Sequence, residues 1–246
     1  LGDWEGAERV LDVDPELHRW WREEHHETGL DLGIQTLRAY RGEPREAADE
    51  VRRLIVRSDR WQGLTVQIQS WGNRVLSVCS WLAGDMAEAL RAAHVAYDID
   101  TFSGNLGNTY WATVVAAAGL RDRVALEESF TWSVRLLGRM AQLFRRTATV
   151  AMLGLDRDAG ARDAAQELLA AWDEAELPMH HATAAWVVMC TVPAEQWPTA
   201  HIERAQRYAE QRGAVSLVRL LAEAEVAGQR AGSPVDHLRS SGDVAP

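Results

Sequence analysis

The sequence contains no lysine, and all 26 of its basic residues are arginine. Mechanisms that need a lysine amine, such as Schiff-base catalysis and the P-loop grip on phosphate, are therefore excluded. Cysteine is also scarce, since Cys79 and Cys190 are the only two and lie in separate apolar runs. Their spacing fits neither a metal site nor a disulfide framework, and it predicts two buried free thiols in a reducing compartment.

Long apolar runs are missing as well. No run approaches the ~18 residues that cross a bilayer, and no signal peptide is recognisable. The predicted location is therefore the cytoplasm, with no membrane partner. The formal net charge of −10 repels the phosphate backbone, so direct contact with nucleic acid is not expected.

Strand patterns are nearly absent, and a repeated helical phrase takes their place. Each copy joins the end of one helix to a glycine, polar residues and an alanine that opens a second amphipathic helix. The glycines are Gly2, Gly42, Gly84, Gly119 and Gly154, spaced 35 to 42 residues apart. Each interval accommodates two helices, and the glycine is expected to supply the positive φ that ends the first of them.

Apolar residues recur at helical spacing on both sides of this phrase. The predicted first helices cover about 64–83, 106–118, 140–153 and 179–190 and are apolar all round. The predicted apolar positions of the second helices are Ala47, Val51, Leu54, Ile55, Ala89, Ala92, Ala93, Ala96, Val124, Leu126, Phe130, Val134, Leu137, Ala164, Ala165, Leu168, Leu169 and Trp172. The pattern predicts one domain over 1–229, of about five to six helix pairs, and a flexible tail or linker over 230–246.

The phrase resembles the tetratricopeptide (TPR) pattern, in which a Gly-Asp-Tyr-x-x-Ala segment joins paired helices. The resemblance covers roughly residues 1–175, although the intervals exceed the usual length of about 34 residues. It is similar to the longer helical repeat of large bacterial signalling ATPases and LuxR-type regulators. The resemblance implies an all-α fold of antiparallel helix hairpins stacked into a right-handed superhelix, an α-solenoid. Because the chain starts inside a copy, at Leu1-Gly2-Asp3-Trp4, it is expected to be a fragment of such a regulator.

Candidate catalytic and metal-binding groups are few. Adjacent His25 and His26 point about 100° apart on a helix and cannot chelate one ion unaided, which favours a solvated polar face. His180 and His181 open a predicted helix, where contact with an anionic ligand is one interpretation and a polar cap is the preferred one. The loop 103–108 lacks the preceding strand and the lysine of a nucleotide loop, so it is interpreted as a turn. No metal site and no cofactor are predicted, and the chain is not expected to be an enzyme.

Eleven tryptophans are the most unusual positive feature. In stacked hairpins the first helices line a concave groove, and registering the copies on their glycines predicts which side chains face it. These groove residues are Leu32, Tyr40, Trp71, Arg74, Val78, Trp81, Leu106, Thr109, Thr113 and Phe144. The stripe from Trp71 to Trp81 can hold a peptide, an apolar helix or a small acidic ligand. The competing interpretation is that the tryptophans fill gaps between long repeats, and Trp4, Trp132 and Trp172 are expected in the core.

Three functions follow from these patterns. The leading hypothesis is a non-catalytic domain of a transcriptional or signalling regulator that binds a protein, a peptide or a small effector in its groove. The second is a structural scaffold whose tryptophans are buried between subunits of a homo-oligomer. The third is an all-α enzyme with an enclosed pocket lined by tryptophan and histidine.

Overall fold

The computed structural model describes residues 27–58, 65–99, 106–133 and 136–231. These residues contain eleven α-helices: α1 (Glu27–Tyr40), α2 (Pro44–Ser58), α3 (Thr65–Ala83), α4 (Met86–Ile99), α5 (Leu106–Leu120), α6 (Arg123–Trp132), α7 (Arg139–Leu155), α8 (Ala161–Glu174), α9 (Pro178–Thr191), α10 (Thr199–Gln211) and α11 (Val215–Ala231). A short 3-10 turn, Ala194–Gln196, precedes α10, and no strand occurs in this part of the chain. The all-α class is therefore confirmed, and the four predicted first helices correspond to α3, α5, α7 and α9.

Membrane insertion finds no support in these helices. Across the four described ranges, none is both long enough and apolar enough to span a bilayer. Of the predicted tail, residues 230 and 231 belong to α11, and residues 232–246 lie outside the described residues. His25, His26 and Trp4 also lie outside them.

The helices pack in two ways, one local and one long-range. Each helix contacts the next along the chain, and each odd-numbered helix from α1 to α9 also contacts the following odd-numbered one. In addition, α9 contacts α5, and α11 contacts both α1 and α3. The last described helix thus lies against both α1 and α3, and the Arg219 guanidinium donates a hydrogen bond to the Leu82 carbonyl at the end of α3.

The core is centred on α9. This helix contacts α5, α7, α8, α10 and α11, and its residues from His181 to Met189 are all buried. A helix that is enclosed on every side must be apolar all round, which explains why 179–190 shows no polar face in the sequence. The α9 helix therefore packs between α5, α7 and α8 on one hand and α10 and α11 on the other.

Four helix-to-helix corners share one backbone geometry. At each, a backbone N–H donates to a carbonyl five residues earlier: Glu43 to Arg38, Asp85 to Ser80, Asp122 to Ala117 and Asp158 to Leu153, at 2.9–3.0 Å. The residue before each acid has a positive φ: Gly42, Gly84, Arg121 and Arg157. This left-handed residue and its hydrogen bond satisfy carbonyls at the helix end. At the second and third corners the Asp85 and Asp122 carboxylates accept a hydrogen bond from a backbone N–H of the next helix, which fixes its start.

The interpretation of Gly119 and Gly154 as corner residues is wrong. Both lie inside their helices, next to the last residue of α5 and α7, and the left-handed residues are Arg121 and Arg157. The glycines are required instead by close packing. A Cβ at Gly119 would lie 2.8 Å from the Trp186 ring, and a Cβ at Gly154 would lie 2.9 Å from the Thr191 carbonyl group.

Of the predicted apolar positions between 124 and 137, Leu126 is buried as expected, Val134 lies outside the described residues, and the other three are wrong. The helix α6 ends at Trp132, and Val124, Phe130 and Leu137 are exposed. The face that α6 buries consists of Ala125, Leu126 and Ser129. Trp132 is half-buried and stacks on Tyr97 with ring centroids 3.7 Å apart, so it belongs to a peripheral contact rather than to the core.

A pair of glycine substitutions tests the close approach of α7 to the start of the α9–α10 connection. Gly154→Ala is expected to destabilise the protein by about 1–3 kcal/mol, because the new methyl group meets backbone atoms that cannot rotate away. Gly33→Ala is the matched control, since Gly33 lies inside α1 with no atom within 4 Å of its added Cβ. It is expected to stabilise the protein by about 0.5–1 kcal/mol. Urea denaturation measures both, and an unchanged midpoint for Gly154→Ala would contradict the packing described.

Candidate ligand pocket

The helices α1, α3, α5 and the start of α9 form a partly open pocket of about 520 Å³. Its wall consists of residues from α1, α3, α5 and α9. The lining residues are Thr36, Tyr40, Trp71, Arg74, Val75, Val78, Trp81, Asn108, Trp111, Ala112, Val115 and His180. Its volume lies in the range of about 300–1,000 Å³ that is typical of small-molecule sites.

One face of α3 supplies the aromatic stripe. Trp71, Arg74, Val78 and Trp81 recur at helical spacing, so their side chains leave the helix on the same side. Trp71 stands at the mouth with 42 % of its surface exposed, and Trp81 lies at the base with 2 % exposed. The Trp71 ring rests over Gly29 of α1, where an added Cβ would come within 2.8 Å of it. Because Gly29 has no side chain, it leaves the space that the Trp71 ring occupies.

The base of the pocket is an aromatic contact between three helices. The Trp81 ring meets the edge of Tyr40 from α1, with centroids 6.3 Å apart, and a tilted Trp186 ring from α9 at 5.6 Å. Such contacts add about 0.5–1.5 kcal/mol each beyond the burial of apolar area. Burial raises the pKa of the Tyr40 hydroxyl well above its usual value, so Tyr40 is neutral across the physiological range.

A second aromatic cluster supports the part of the wall that α5 contributes. Trp111 of α5 lies 4.9 Å from Phe144, 5.5 Å from Trp172 and 5.8 Å from His180, measured between ring centroids. Trp172 is fully buried, and its indole N–H donates to the Thr147 hydroxyl at 3.2 Å. Because Phe144 and Trp172 are held behind it, Trp111 presents its ring to the pocket from a rigid support.

His180 adds a polar group to this aromatic wall. It stacks on Trp172 with ring centroids 5.4 Å apart and an interplanar angle of 17°. Burial lowers the pKa of His180 to about 4, so its imidazole is neutral at pH 7. Its Nδ1 is buried and has no hydrogen-bond partner within the described ranges.

The polar-cap interpretation of the histidine pair is wrong. The cap position of α9 is Leu177, which makes no side-chain hydrogen bond to the helix, and neither histidine occupies it. His181 is fully buried on another side of α9, beside His201 and Tyr208. Only His180 of the pair lines the pocket.

The predicted groove residues divide into two groups. Tyr40, Trp71, Arg74, Val78 and Trp81 line one pocket together. Leu32, Thr109 and Thr113 are instead fully buried in the core, Phe144 is buried behind Trp111, and Leu106 is half-buried outside the lining. The Thr113 hydroxyl donates to the Thr109 carbonyl, a local bond that satisfies it inside α5.

The glycine register explains the missed residues of α5. Trp71, Arg74, Val78 and Trp81 stand 13, 10, 6 and 3 residues before the left-handed Gly84. The same offsets counted back from the left-handed Arg121 give Asn108, Trp111, Val115 and Ala118, and the first three of these line the pocket. Counting from Gly119 instead shifts the register by two residues. Since two residues turn a helix by about 200°, that shift selects the buried face with Thr109 and Thr113.

The two cysteines lie outside the pocket and are not ionised. Cys79 is buried and Cys190 is half-buried, and both are free. Burial raises the pKa of each thiol to about 12, so neither is a reactive thiolate at neutral pH. Within the described ranges, no three side chains of His, Cys, Asp or Glu come together in a way that could hold a metal ion.

Comparison of the chain with family models, with curated proteins and with solved structures gives no match. In the part of the chain that the structure describes, the fold is all-α, and residues of α1, α3, α5 and α9 line an aromatic pocket.

Proposed function

We propose that this chain is a non-catalytic binding domain that takes a small effector in the tryptophan-lined pocket. The observation that carries the proposal is the convergence of four aromatic side chains, Tyr40, Trp71, Trp81 and Trp111, from three helices on one 520 Å³ pocket. Aromatic rings with a few polar groups among them are the usual lining of a ligand site. The exposed Trp71 at the mouth fits this function, because an indole left open to water gains from being covered.

The helix packing supports a repeat architecture for this domain. The series of odd-numbered helices, each against the next, is the contact pattern of stacked hairpins, and the shared corners repeat at 42, 84, 121 and 157. The contact of α11 with α1 and α3 brings the last described helix against the first hairpin, and the pocket itself has walls from α1, α3, α5 and α9. We propose that the domain is a TPR-like array of this form and belongs to a bacterial transcriptional or signalling regulator, whose output lies in another part of that protein.

An enzyme is the second candidate, because His180 stands in the pocket. Its low pKa argues against this function, since an efficient general base has a pKa near the working pH. No Asp or Glu belongs to the described lining that could orient the imidazole or raise its pKa. Binding therefore accounts for the geometry better than acid–base catalysis does.

Substitution of Trp71 tests the binding function. A neutral planar probe, 1-naphthylacetamide, is expected to bind the wild-type protein in isothermal titration calorimetry and to bind Trp71→Ala about tenfold more weakly, as stacking on one ring is lost. Phe130→Ala is the matched control, because Phe130 is an aromatic residue of similar exposure, 39 %, outside the pocket lining. It is expected to leave the affinity unchanged.

The scaffold alternative gives a different set of results. If the tryptophans serve assembly, the probe does not bind and sedimentation velocity shows a mass that rises with protein concentration. Equal losses of affinity in Trp71→Ala and Phe130→Ala would also count against the pocket as the binding site.

A further inference from the structure

We infer that the contact of α9 with α10 is an acid-sensitive latch, in which a proton on His181 detaches α10 from α8 and α9 while the other helices stay packed. His181 lies outside the lining of the tryptophan pocket, so the latch does not depend on the binding function proposed above. Its parts are one imidazole of α9, one carboxylate of α8 and three polar side chains of α10.

His181 is enclosed without a hydrogen bond. The residue is 0 % exposed, and neither its Nδ1 nor its Nε2 has a hydrogen-bond partner among the described residues. Two rings of α10 contact it edge-on: the centroids of His201 and Tyr208 lie 6.1 Å and 5.7 Å from the His181 centroid. Burial of a charge without a partner costs far more than burial of a neutral polar group. The contact between α9 and α10 therefore favours the neutral imidazole.

The charges around His181 mostly oppose a proton on it. Burial has the largest effect and lowers the pKa of His181 to about 4, and His201 and Arg204 of α10 lower it as well. Asp173 of α8 raises it, and no charged group of α5, α7 or α11 contributes within the described residues. Because the Arg204 guanidinium keeps its charge in acid, protonation of His181 places like charges on the facing sides of α9 and α10.

The Asp173 carboxylate is already bound by α10. Its Oδ1 accepts a hydrogen bond from the Tyr208 hydroxyl at 3.0 Å, and its Oδ2 pairs with the Arg204 guanidinium. A His181 imidazolium competes with both groups for this carboxylate. When Asp173 turns to His181, α10 loses these two contacts with α8; when Asp173 stays with α10, the buried imidazolium has no partner. Acid weakens the attachment of α10 in either case.

Release of α10 leaves the other contacts of the fold in place. The principal contacts of α10 are with α8, α9 and α11. The preceding helices pack on one another, and α11 has its own contacts with α1, α3 and α9. Parts of a structure with few contacts open at a lower cost in free energy than the whole domain does. The α10 helix is therefore the unit that acid detaches.

Hydrogen exchange of the whole chain, measured by mass spectrometry at pH 7.5 and pH 5.0 and corrected for intrinsic rates, tests the latch. In the wild-type protein α10 is expected to exchange faster than α3. Its opening equilibrium is expected to rise about tenfold or more in acid, since a released His181 binds a proton near pH 6.5. His181→Phe removes the titrating group and is expected to abolish this rise. The matched control is His180→Phe, which is expected to keep it, because His180 lies against Trp111 and Trp172 on another side of α9.

Equal exchange rates of α3 and α10 at pH 5.0 would show that the whole domain opens together and would overturn the latch. The same follows from an opening of α10 that does not change with pH, from a rise that persists in His181→Phe, or from one that is lost equally in His180→Phe. If His181→Phe does not fold, NMR of carbon-13-labelled histidine in the wild-type protein decides. The latch is supported when the His181 ring gains its proton over the pH range in which α10 loses protection, and it is overturned when that ring stays neutral while α10 opens.

Discussion

Replacement of Trp172 by alanine is expected to lower the free energy of unfolding by about 3–5 kcal/mol, the usual cost of removing a buried tryptophan. The side chain is fully buried and touches three other rings: Trp111, Phe144 and His180. Its removal leaves a cavity between α5, α7, α8 and α9 and withdraws the support of the pocket wall. Since domains are typically stable by only about 5–15 kcal/mol, the loss takes a large part of the total.

A smaller substitution separates the hydrogen bond of Trp172 from its packing. Thr147→Val keeps the volume of Thr147 but removes the hydroxyl that accepts the Trp172 indole N–H, so the expected loss is about 1–3 kcal/mol. Trp71→Ala is the control, because it also removes one tryptophan but from a position that is 42 % exposed, so that no closed cavity is left. Urea denaturation should rank the losses Trp172→Ala, then Thr147→Val, then Trp71→Ala. A Trp172→Ala variant within 1 kcal/mol of the wild type would contradict the described core.

Acid is expected to destabilise the protein through the histidine pair of α9. Burial lowers the pKa of both His180 and His181 to about 4, against about 6.5 in an unfolded chain. For His181 the neighbouring Asp173 raises the pKa, but burial is the larger effect, and His201 and Arg204 also lower it. Between pH 4 and pH 6.5 the unfolded chain therefore binds more protons than the folded one, and unfolding becomes easier as the pH falls.

The two histidines set the size and the pH window of this effect. Their contribution is complete above about pH 6.5 and is lost as the pH falls toward 4, by roughly 2 kcal/mol for each histidine at pH 5 relative to pH 7.5. Unfolding free energies measured in urea from pH 8 to pH 4.5 are expected to show this loss. His181→Phe removes one titrating group of similar size, so the dependence on pH is expected to fall by about half. An unchanged slope in His181→Phe would show that other groups cause the acid sensitivity.

Much of the secondary structure could be predicted from the sequence because helix signals are local. The apolar first helices and the corners at Gly42 and Gly84 follow directly from periodicity and from glycine after a helix end. The glycine pattern does not locate the later corners, because Arg121 and Arg157 take the left-handed conformation there. That conformation is uncommon for residues other than glycine. The acid after each corner, Glu43, Asp85, Asp122 or Asp158, is the sequence signal that remains constant.

The candidate pocket was only partly predictable for a different reason. The stripe on α3 depends on one helix and its period, so Trp71, Arg74, Val78 and Trp81 emerge together from the sequence. Trp111 depends on the correct register of α5, which a shift of two residues destroys. His180 depends on long-range packing, because nothing near it in the sequence indicates that α9 begins beside α1, α3 and α5.

The contact of α11 with α1 and α3 has a consequence for the order in which the chain folds. Arg219 and Leu82 are 137 residues apart in the sequence, so their hydrogen bond closes a very long loop. Contacts of this separation form slowly compared with those between neighbouring helices. During synthesis the earlier helices can pair with their neighbours as they leave the ribosome, whereas closure must wait until residues 215–231 have been translated. Until then the surfaces of α1 and α3 that α11 covers stay open to solvent. A chaperone that binds exposed apolar surface would therefore act on this protein mainly before α11 has been translated.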